Sequence, residues 1–454
     1  MQFHELTLQA ERQRAFFLSG ATLSREFRRD ALKRLHTVLH ESEENAARAL
    51  KQDLGKSGAE SYLTETGMVL ASISHAARRL RAWMRPRFVL PSPALFPAFG
   101  RIYAEPFGLV LIMSPWNYPL NLALMPLVDA VAAGNCVMLK PSSRAPATSR
   151  LLESVIAEVF DPAHVSMAPG GAETGDTLLS LRFDFIFYTG SGRVGRKVME
   201  AAARNLTPVC LELGGKSPVI VCEDADCALA ARRIAWGKTL NAGQTCVAPD
   251  YVLAHRSIAQ RLAALVREEF LRFPGPDALR NPEYCRIISP EAMDRLEALS
   301  HGRAAVDRSS MRMAPLVMEN VSPDAPVMRE EIFGPLLPVL SFTDPEEALN
   351  MVRERDKPLA CYVFARSPVT ARYFLDRLSF GGGCVNDTLM HVGSHHLPFG
   401  GVGPSGMGRY HGKAGFDLFS NQKGVLHRGI WPDPPLRYPP ISDRALSIIR
   451  RLLS

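Results

Sequence analysis

The sequence predicts an α/β protein of two or three domains built on parallel sheets. Its 454 residues are 46% hydrophobic and 22% charged, enough to bury more than one core and too apolar for disorder. Several strand-like runs are apolar throughout rather than alternating, among them Gly108-Leu109-Val110-Leu111-Ile112-Met113 and Val137-Met138-Leu139. Strands buried on both faces read this way, as in parallel sheets. Stretches with helical spacing separate these runs.

Taken in order, Ser24 to about Gln52 is helical. Ser24 is placed to cap the first turn, and Phe27, Leu32, Leu35, Val38 and Leu39 share one face. A second helix covers Glu60 to Trp83. Arg85 through Pro97 carries four prolines, which no helix interior tolerates; it reads as an extended arm and a subunit contact. Arg101 to Met113 is strand material, Val137 to Ser142 a second strand, and Phe183 to Tyr188 a third. Later come helices over Ser257–Phe273 and Pro345–Arg355 and a strand over Leu359–Ala365, with a polar-aromatic loop at 330–335 between them. In the tail, Leu446, Ile449, Leu452 and Leu453 recur at helical spacing beside Arg444, Arg450 and Arg451. A helix docked on the body or on a partner subunit is expected there.

Net charge is +7 and the isoelectric point near 9.0. The basic excess sits in helical runs such as Arg78-Arg79-Leu80-Arg81, without interleaved aromatics for base stacking, so no nucleic-acid partner is expected. Eight cysteines show no CxxC pair, which points to a reducing compartment rather than a disulfide framework. The N-terminus Met1-Gln2-Phe3-His4-Glu5 shows no secretory pattern, and no apolar run is long enough for a membrane span. The expectation is a cytoplasmic protein. His391, His395 and His396 lack a supporting Cys or carboxylate set, so no metal is expected.

The chemistry centres on Gly243-Gln244-Thr245-Cys246-Val247, where Cys246 reads as a nucleophile. Upstream, Glu212-Leu213-Gly214-Gly215-Lys216-Ser217-Pro218 sets a carboxylate ahead of two glycines. Asn117, in Ser114-Pro115-Trp116-Asn117-Tyr118-Pro119, follows a strand end and has an amide suited to a developing oxyanion. Lys140 ends the second strand, suited to a ribose or phosphate. Gly190-Ser191-Gly192-Arg193-Val194-Gly195 matches a dinucleotide fingerprint literally, with Glu212 some way on. The match comes after at least two strand–helix units, whereas the ordinary fingerprint ends the first strand. Its surviving content is a glycine-rich helix N-terminus able to take pyrophosphate on backbone N–H groups.

These motifs, with Lys140-Pro141-Ser142, Glu331-Ile332-Phe333-Gly334-Pro335 and Leu397-Pro398-Phe399-Gly400-Gly401, occur in the order found in aldehyde dehydrogenases, which the chain resembles over roughly residues 20 to 440. Val385-Asn386-Asp387-Thr388-Leu389-Met390-His391 and the tail Asp433-Pro434-Pro435-Leu436-Arg437-Tyr438-Pro439-Pro440 resemble the class 3 branch. The resemblance implies a doubly wound cofactor domain (1–84 and 101–208), an α/β catalytic domain (209–385), and a bridging arm with tail (85–100 and 386–454). It implies that Cys246 attacks an aldehyde, that Asn117 and the Cys246 N–H steady the oxyanion, and that Glu212 activates the hydrolytic water, with Glu331 as the competing base. Lys140 would hold the adenine-side ribose, Ser191 the pyrophosphate and Glu331 the nicotinamide ribose, with Phe333 beside the ring. Ser114, Trp116, Gly190, Gly195 and Leu213 complete the expected cofactor wall. Tyr118, Leu122 and Thr245, with Trp116 and Met125, form an apolar pocket for medium-chain or aromatic aldehydes. A homodimer is also implied.

Two departures stand out. Class 3 relatives carry a glutamate where this chain has Ser143, followed by Arg144. A carboxylate repels a 2′-phosphate and an arginine pairs with one, so NADP is expected to serve alongside NAD. Residues 303–318 look like a trimmed surface loop. Two other functions share these residues: an acyl-transferring reductase, disfavoured by Glu212, and a catalytically silent binding protein, disfavoured by the joint presence of Cys246, Glu212 and Asn117.

Overall fold

The structure, a computed structural model, describes residues 3–92, 95–433, 435 and 438–453. Met1 and Gln2, Pro93 and Ala94 of the arm, and Pro434, Leu436, Arg437 and Ser454 of the tail lie outside the described residues.

Two six-stranded sheets and a three-stranded arm organise the chain. The first sheet runs in the order Gly406–Met407, Val209–Leu213, Phe185–Gly190, Leu109–Met113, Cys136–Lys140, Val165–Met167. All neighbours are parallel except the first pair. Uninterrupted apolar strands are explained by their two buried faces. Leu109 and Leu111 pack with Leu6 and Ala10 of the helix Phe3–Leu18, while Val110 and Ile112 face the core of the helices Arg25–Glu41, Gly67–Trp83 and Asn121–Ala133. The sheet is doubly wound. The strand order reverses between Leu109–Met113 and Phe185–Gly190, and such sheets place ligands at the carboxyl ends beside that reversal.

The second sheet is parallel throughout, in the order Leu316–Met318, Leu336–Phe342, Tyr251–His255, Pro218–Val221, Ala360–Phe364, Gly382–Val385. The arm pairs Arg87–Val89 and Ser420–His427 antiparallel on either side of Phe99–Pro106.

The sheets divide the chain differently from the boundaries expected. Val209–Leu213, placed with the catalytic segment, is hydrogen-bonded into the first sheet, and so is Gly406–Met407 from the tail segment. The stretch 101–113 is two strands. Phe99–Pro106 belongs to the arm, and the chain breaks direction at Gly108 (φ 139°), where a Cβ would lie 2.5 Å from the Asp184 carboxylate. The early helical stretch breaks at Ser42 into Arg25–Glu41 and Glu43–Leu54, with Ser24 capping the first as its hydroxyl accepts from the Phe27 N–H. The stretch from Glu60 contains a single π-helical segment, Tyr62–Thr66, before Gly67–Trp83. Residues 303–318 are a hairpin of Val306–Asp307 with Arg312–Met313 rather than a plain surface loop, and Met313 is buried in the second core. The tail forms the helix Asp443–Leu453; Ala445 is buried, and Leu446, Ile448 and Leu452 stay partly exposed.

Candidate active site

A cavity of about 930 Å³ lies along the carboxyl ends of the first sheet, where the chain crosses to the second. Each wall follows from a strand end. Leu109–Met113 runs into Pro115-Trp116-Asn117, Phe185–Gly190 into Ser191-Gly192, and Val209–Leu213 into Gly214-Gly215-Lys216; all of these second members line the cavity, with Glu212 and Leu213. Cys246 and the loop of Glu330, Glu331 and Phe333 close it from the other side.

The turn before Cys246 is held in an uncommon shape. Asn241 (φ 49°), Ala242 (φ 51°) and Gly243 (φ 73°) are consecutively left-handed. For a non-glycine residue this costs on the order of 1 kcal/mol or more. Gly243 is required in addition by packing, since a Cβ there would sit 2.3 Å from the Gly334 carbonyl oxygen. Gln244 clamps the turn: its Nε2 donates to the carbonyls of Asn241 (3.0 Å) and Arg286 (2.8 Å), and its Oε1 accepts from the Ile288 N–H. Beyond the cysteine, the Tyr362 hydroxyl donates to the Val247 carbonyl at 2.6 Å.

Electrostatically the site holds protons. Burial, then the charges of Glu331 and Glu212, raise the Cys246 thiol above its ordinary pKa; its own N–H and that of Val247 act in the opposite sense. Glu212 is buried, and neither carboxylate oxygen meets a hydrogen-bond partner. Its pKa is pushed well up by burial, against the Arg409 guanidinium and the nearby Gly401 amide. Glu331 rises to about 8, mainly by burial and then by the Asp250 charge. Its Oε1 also lacks a partner. A Cβ on Gly214 would come within 2.0 Å of Glu331 Oε2, so glycine there makes room for the carboxylate.

The structure brings together Cys246, Glu212, Asn117, Trp116, Leu122, Gly190, Ser191, Leu213, Glu331 and Phe333 around one cavity. Trp116 and Phe333 meet edge to face, with ring centroids 5.5 Å apart. Other expected residues stand elsewhere. Gly195 packs against Leu213, whose Cδ2 would be 2.7 Å from an added Cβ; it serves helix–strand packing and does not line the cavity. Tyr118 and Thr245 lie behind the wall, hydroxyl to hydroxyl at 2.6 Å. Ser114 and Met125 are buried beside it. Lys140 ends its strand with Nζ donating to the Gly170 carbonyl at 3.0 Å, and Ser143 and Arg144 are exposed just beyond; none of the three lines the cavity. His391 packs against the rings of Tyr362 and Phe399, while His395 and His396 gather around His75.

Sequence reasoning missed Lys216, whose Nζ contacts Asp250 Oδ2 at 2.5 Å and the Val327 carbonyl at 2.7 Å. It missed Arg409 beside Glu212 as well. It also missed Lys238, fully buried with no hydrogen-bond partner and lowered to about 8, chiefly by burial. Lys216 sits inside a motif already singled out, so its position was a usable signal; Arg409 and Lys238 carried none.

A nicotinamide dinucleotide fits this cavity on two local features. Ser191 caps the twelve-residue helix Gly192–Ala203, leaving free amides at its N-terminus for a pyrophosphate. Glu331 lines the cavity with a carboxylate, the acceptor that ribose hydroxyls require. The profile of the "Aldehyde dehydrogenase family" matches residues 9–425.

The chain belongs to the aldehyde dehydrogenase family.

It is 45% identical over 445 residues to "Aldehyde dehydrogenase family 3 member B1" of Homo sapiens, covering 96% of this chain and 95% of that one. It is 41% identical over 438 residues to the "4,4'-diaponeurosporen-aldehyde dehydrogenase" of Staphylococcus aureus, with 95% of each covered. Among solved structures, the substrate-bound state of Staphylococcus aureus AldH superposes with a TM-score of 0.96 at 39% identity, covering 99% of both chains. Its reaction is the family's, the NAD(P)-dependent oxidation of an aldehyde to the carboxylic acid.

Proposed function

We propose that Cys246 is the nucleophile, Asn117 the oxyanion donor and Glu212 the general base of this oxidation. The observation that carries the reading is the convergence of a cavity-lining thiol with a buried carboxylate free of hydrogen-bond partners, on opposite sides of one cleft. Burial without hydrogen-bond partners makes this carboxylate a stronger base than a solvated one. Cys246 gives up its proton to Glu212, which passes it to solvent, and its sulfur bonds to the aldehyde carbon, shifting the carbonyl electron pair to oxygen. The Asn117 amide and the Cys246 N–H hold that oxyanion. A nicotinamide bound here would supply the hydride acceptor, and hydride loss from the adduct carbon would leave a thioester on Cys246. Glu212 takes a proton from water, which attacks the thioester carbon; the C–S bond breaks and the acid leaves. Acyl transfer to another thiol would make no use of this carboxylate, which favours hydrolysis.

The first sheet, with its helix N-terminus, serves the cofactor, and the second sheet carries the nucleophile. Ser191 and Gly192 would hold the pyrophosphate and Glu331 the nicotinamide ribose, and Trp116 and Phe333 would flank the ring. Lys140 is assigned to the adenosine end, with Ser143 and Arg144 admitting a 2′-phosphate. Leu122, Trp116 and Phe333 present apolar surface suited to medium-chain aliphatic or aromatic aldehydes. The arm joins two copies into a homodimer; Phe88, Leu90 and Leu426 are exposed on it. Among the described residues no helix is long and apolar enough to cross a membrane. A reducing cytoplasmic setting suits eight free cysteines.

The test is nucleotide reduction with hexanal and benzaldehyde, NAD and NADP in parallel. Cys246→Ala should abolish it while retaining nucleotide binding; residual turnover would overturn the nucleophile assignment. Ser143→Glu should lower kcat/KM for NADP relative to NAD by about tenfold, roughly 1.4 kcal/mol of repulsion between the new carboxylate and the 2′-phosphate. An unchanged ratio would dismiss the role of Ser143 and Arg144.

A further inference from the structure

We propose that Lys56, paired with Glu65, is a positioning residue that presets Asn117 for oxyanion stabilisation, which rests on the role given to Asn117 above.

Lys56 and Glu65 are both fully buried, and Nζ contacts Glu65 Oε1 at 2.5 Å. The other Glu65 oxygen accepts from the backbone N–H groups of Leu120 (3.0 Å) and Asn121 (2.9 Å), which anchors the start of the helix just after Asn117. A second Lys56 donor reaches the Asn117 carbonyl oxygen at 3.1 Å. The ammonium also sits 3.8 Å from the centroid of the Tyr118 ring, whose hydroxyl meets Thr245 beside Cys246. The ammonium thus touches Glu65, Asn117 and Tyr118 at once.

The same carbonyl of Asn117 accepts from Asn241 Nδ2 at 2.8 Å. Both the Asn117 side-chain amide and that of Asn241 donate to the Gln244 carbonyl, each at 3.1 Å. From the segment bearing Lys56 and Glu65, Glu60 completes the arrangement, its Oε1 accepting from the Asn241 N–H at 2.7 Å. Asn241 opens the run of three left-handed residues before Cys246. The segment 56–65 therefore grips the oxyanion residue and the nucleophile's turn from behind, without lining the cavity.

A buried charge broken from its partner is costly, so the pair holds one geometry. Misplacing a reacting group by about 1 Å can slow a reaction on the order of 100-fold, even when the mutated residue lies far from the chemistry. Lys56 touches no substrate, so its effect is transmitted through Asn117.

The test is a double-mutant cycle on the full-length enzyme. Asn117→Ala alone should lower kcat/KM for benzaldehyde at least 100-fold, as expected for losing an oxyanion donor; if it does not, the role of Asn117 fails, and with it the basis of the inference. Given that loss, Lys56→Met should lower kcat more than 10-fold while the dissociation constant of NADH, read by fluorescence, stays within twofold. In the Asn117→Ala background, Lys56→Met should cost less than threefold further. Full additivity, or a Lys56→Met enzyme within twofold of wild type, would overturn the inference. If Lys56→Met does not fold, Lys56→Arg and Glu65→Gln are carried through the same cycle, with the same criteria.

Discussion

Glu331→Gln offers a direct measure of how strongly the cavity holds a proton. Burial and the Asp250 charge raise Glu331 from 4.5 to about 8, against the Gly215 amide and the ammonium groups of Lys216 and Lys238. A carboxyl whose folded pKa exceeds its unfolded value binds its proton more tightly when folded. Its contribution to stability is therefore complete below the unfolded pKa and is lost as pH rises toward the folded one. A rise from 4.5 to about 8 sets a ceiling of about 5 kcal/mol. Part of the residue faces the cleft, although Oε1 is sealed, so solvent screening brings the working figure to about 2 kcal/mol. Glutamine keeps the shape and never ionises. Urea midpoints should be taken for both proteins near pH 5 and again near pH 8.5. With a slope of at least about 3 kcal/mol/M for a chain of this size, wild type should fall by roughly 0.5 M more than the variant. Glu60, Glu65 and Asp129 are shifted in the same direction, and they move both proteins equally. Parallel midpoints across the range would refute the reasoning.

Gly214→Ala should raise the dissociation constant for nicotinamide dinucleotide about tenfold, roughly 1.4 kcal/mol, because the new methyl displaces the Glu331 carboxylate 2.0 Å away. Fluorescence titration with NADH checks this, and unchanged affinity would remove Glu331 from the ribose. Asp226→Ala should cost about 1 kcal/mol of stability without changing kcat, since Asp226 caps the helix Cys227–Thr239 by accepting from the Ala228 and Leu229 N–H groups, each at 3.1 Å. The urea midpoint reads it; a loss of kcat at full stability would mean that the helix tunes the Cys246 turn directly.

Legibility in the sequence followed how local each signal was. Leu109–Met113 and Cys136–Lys140 were readable as doubly buried strands because their runs are almost wholly apolar, and both faces are covered. Cys246, Glu212 and Asn117 could be singled out because each lies at a turn whose glycines or strand ends announce it, whereas Glu331 came only through the family resemblance; the four line one cavity. Gly195 was misread: a fingerprint glycine can serve phosphate approach or helix packing, and only the 2.7 Å approach to Leu213 decides between them. The domain boundaries were hidden because Gly406–Met407 returns to the first sheet from nearly two hundred residues away. Lys56 was invisible as well, since a lysine between two helical stretches looks like ordinary surface until the fold seals it inside.

Val209–Leu213 belongs to the first sheet, so Glu212 is built into one lobe, while Cys246 hangs from the other beyond Gly214-Gly215. The gap between the proposed base and the proposed nucleophile is therefore a distance between two sheets. Val110 and Ile112 of the first sheet share one continuous core with Val219, Val252 and Tyr362 of the second, and that core holds the distance. The spacing on which the proposed hydrolysis depends is therefore set by the packing shared between the two sheets rather than by either residue alone.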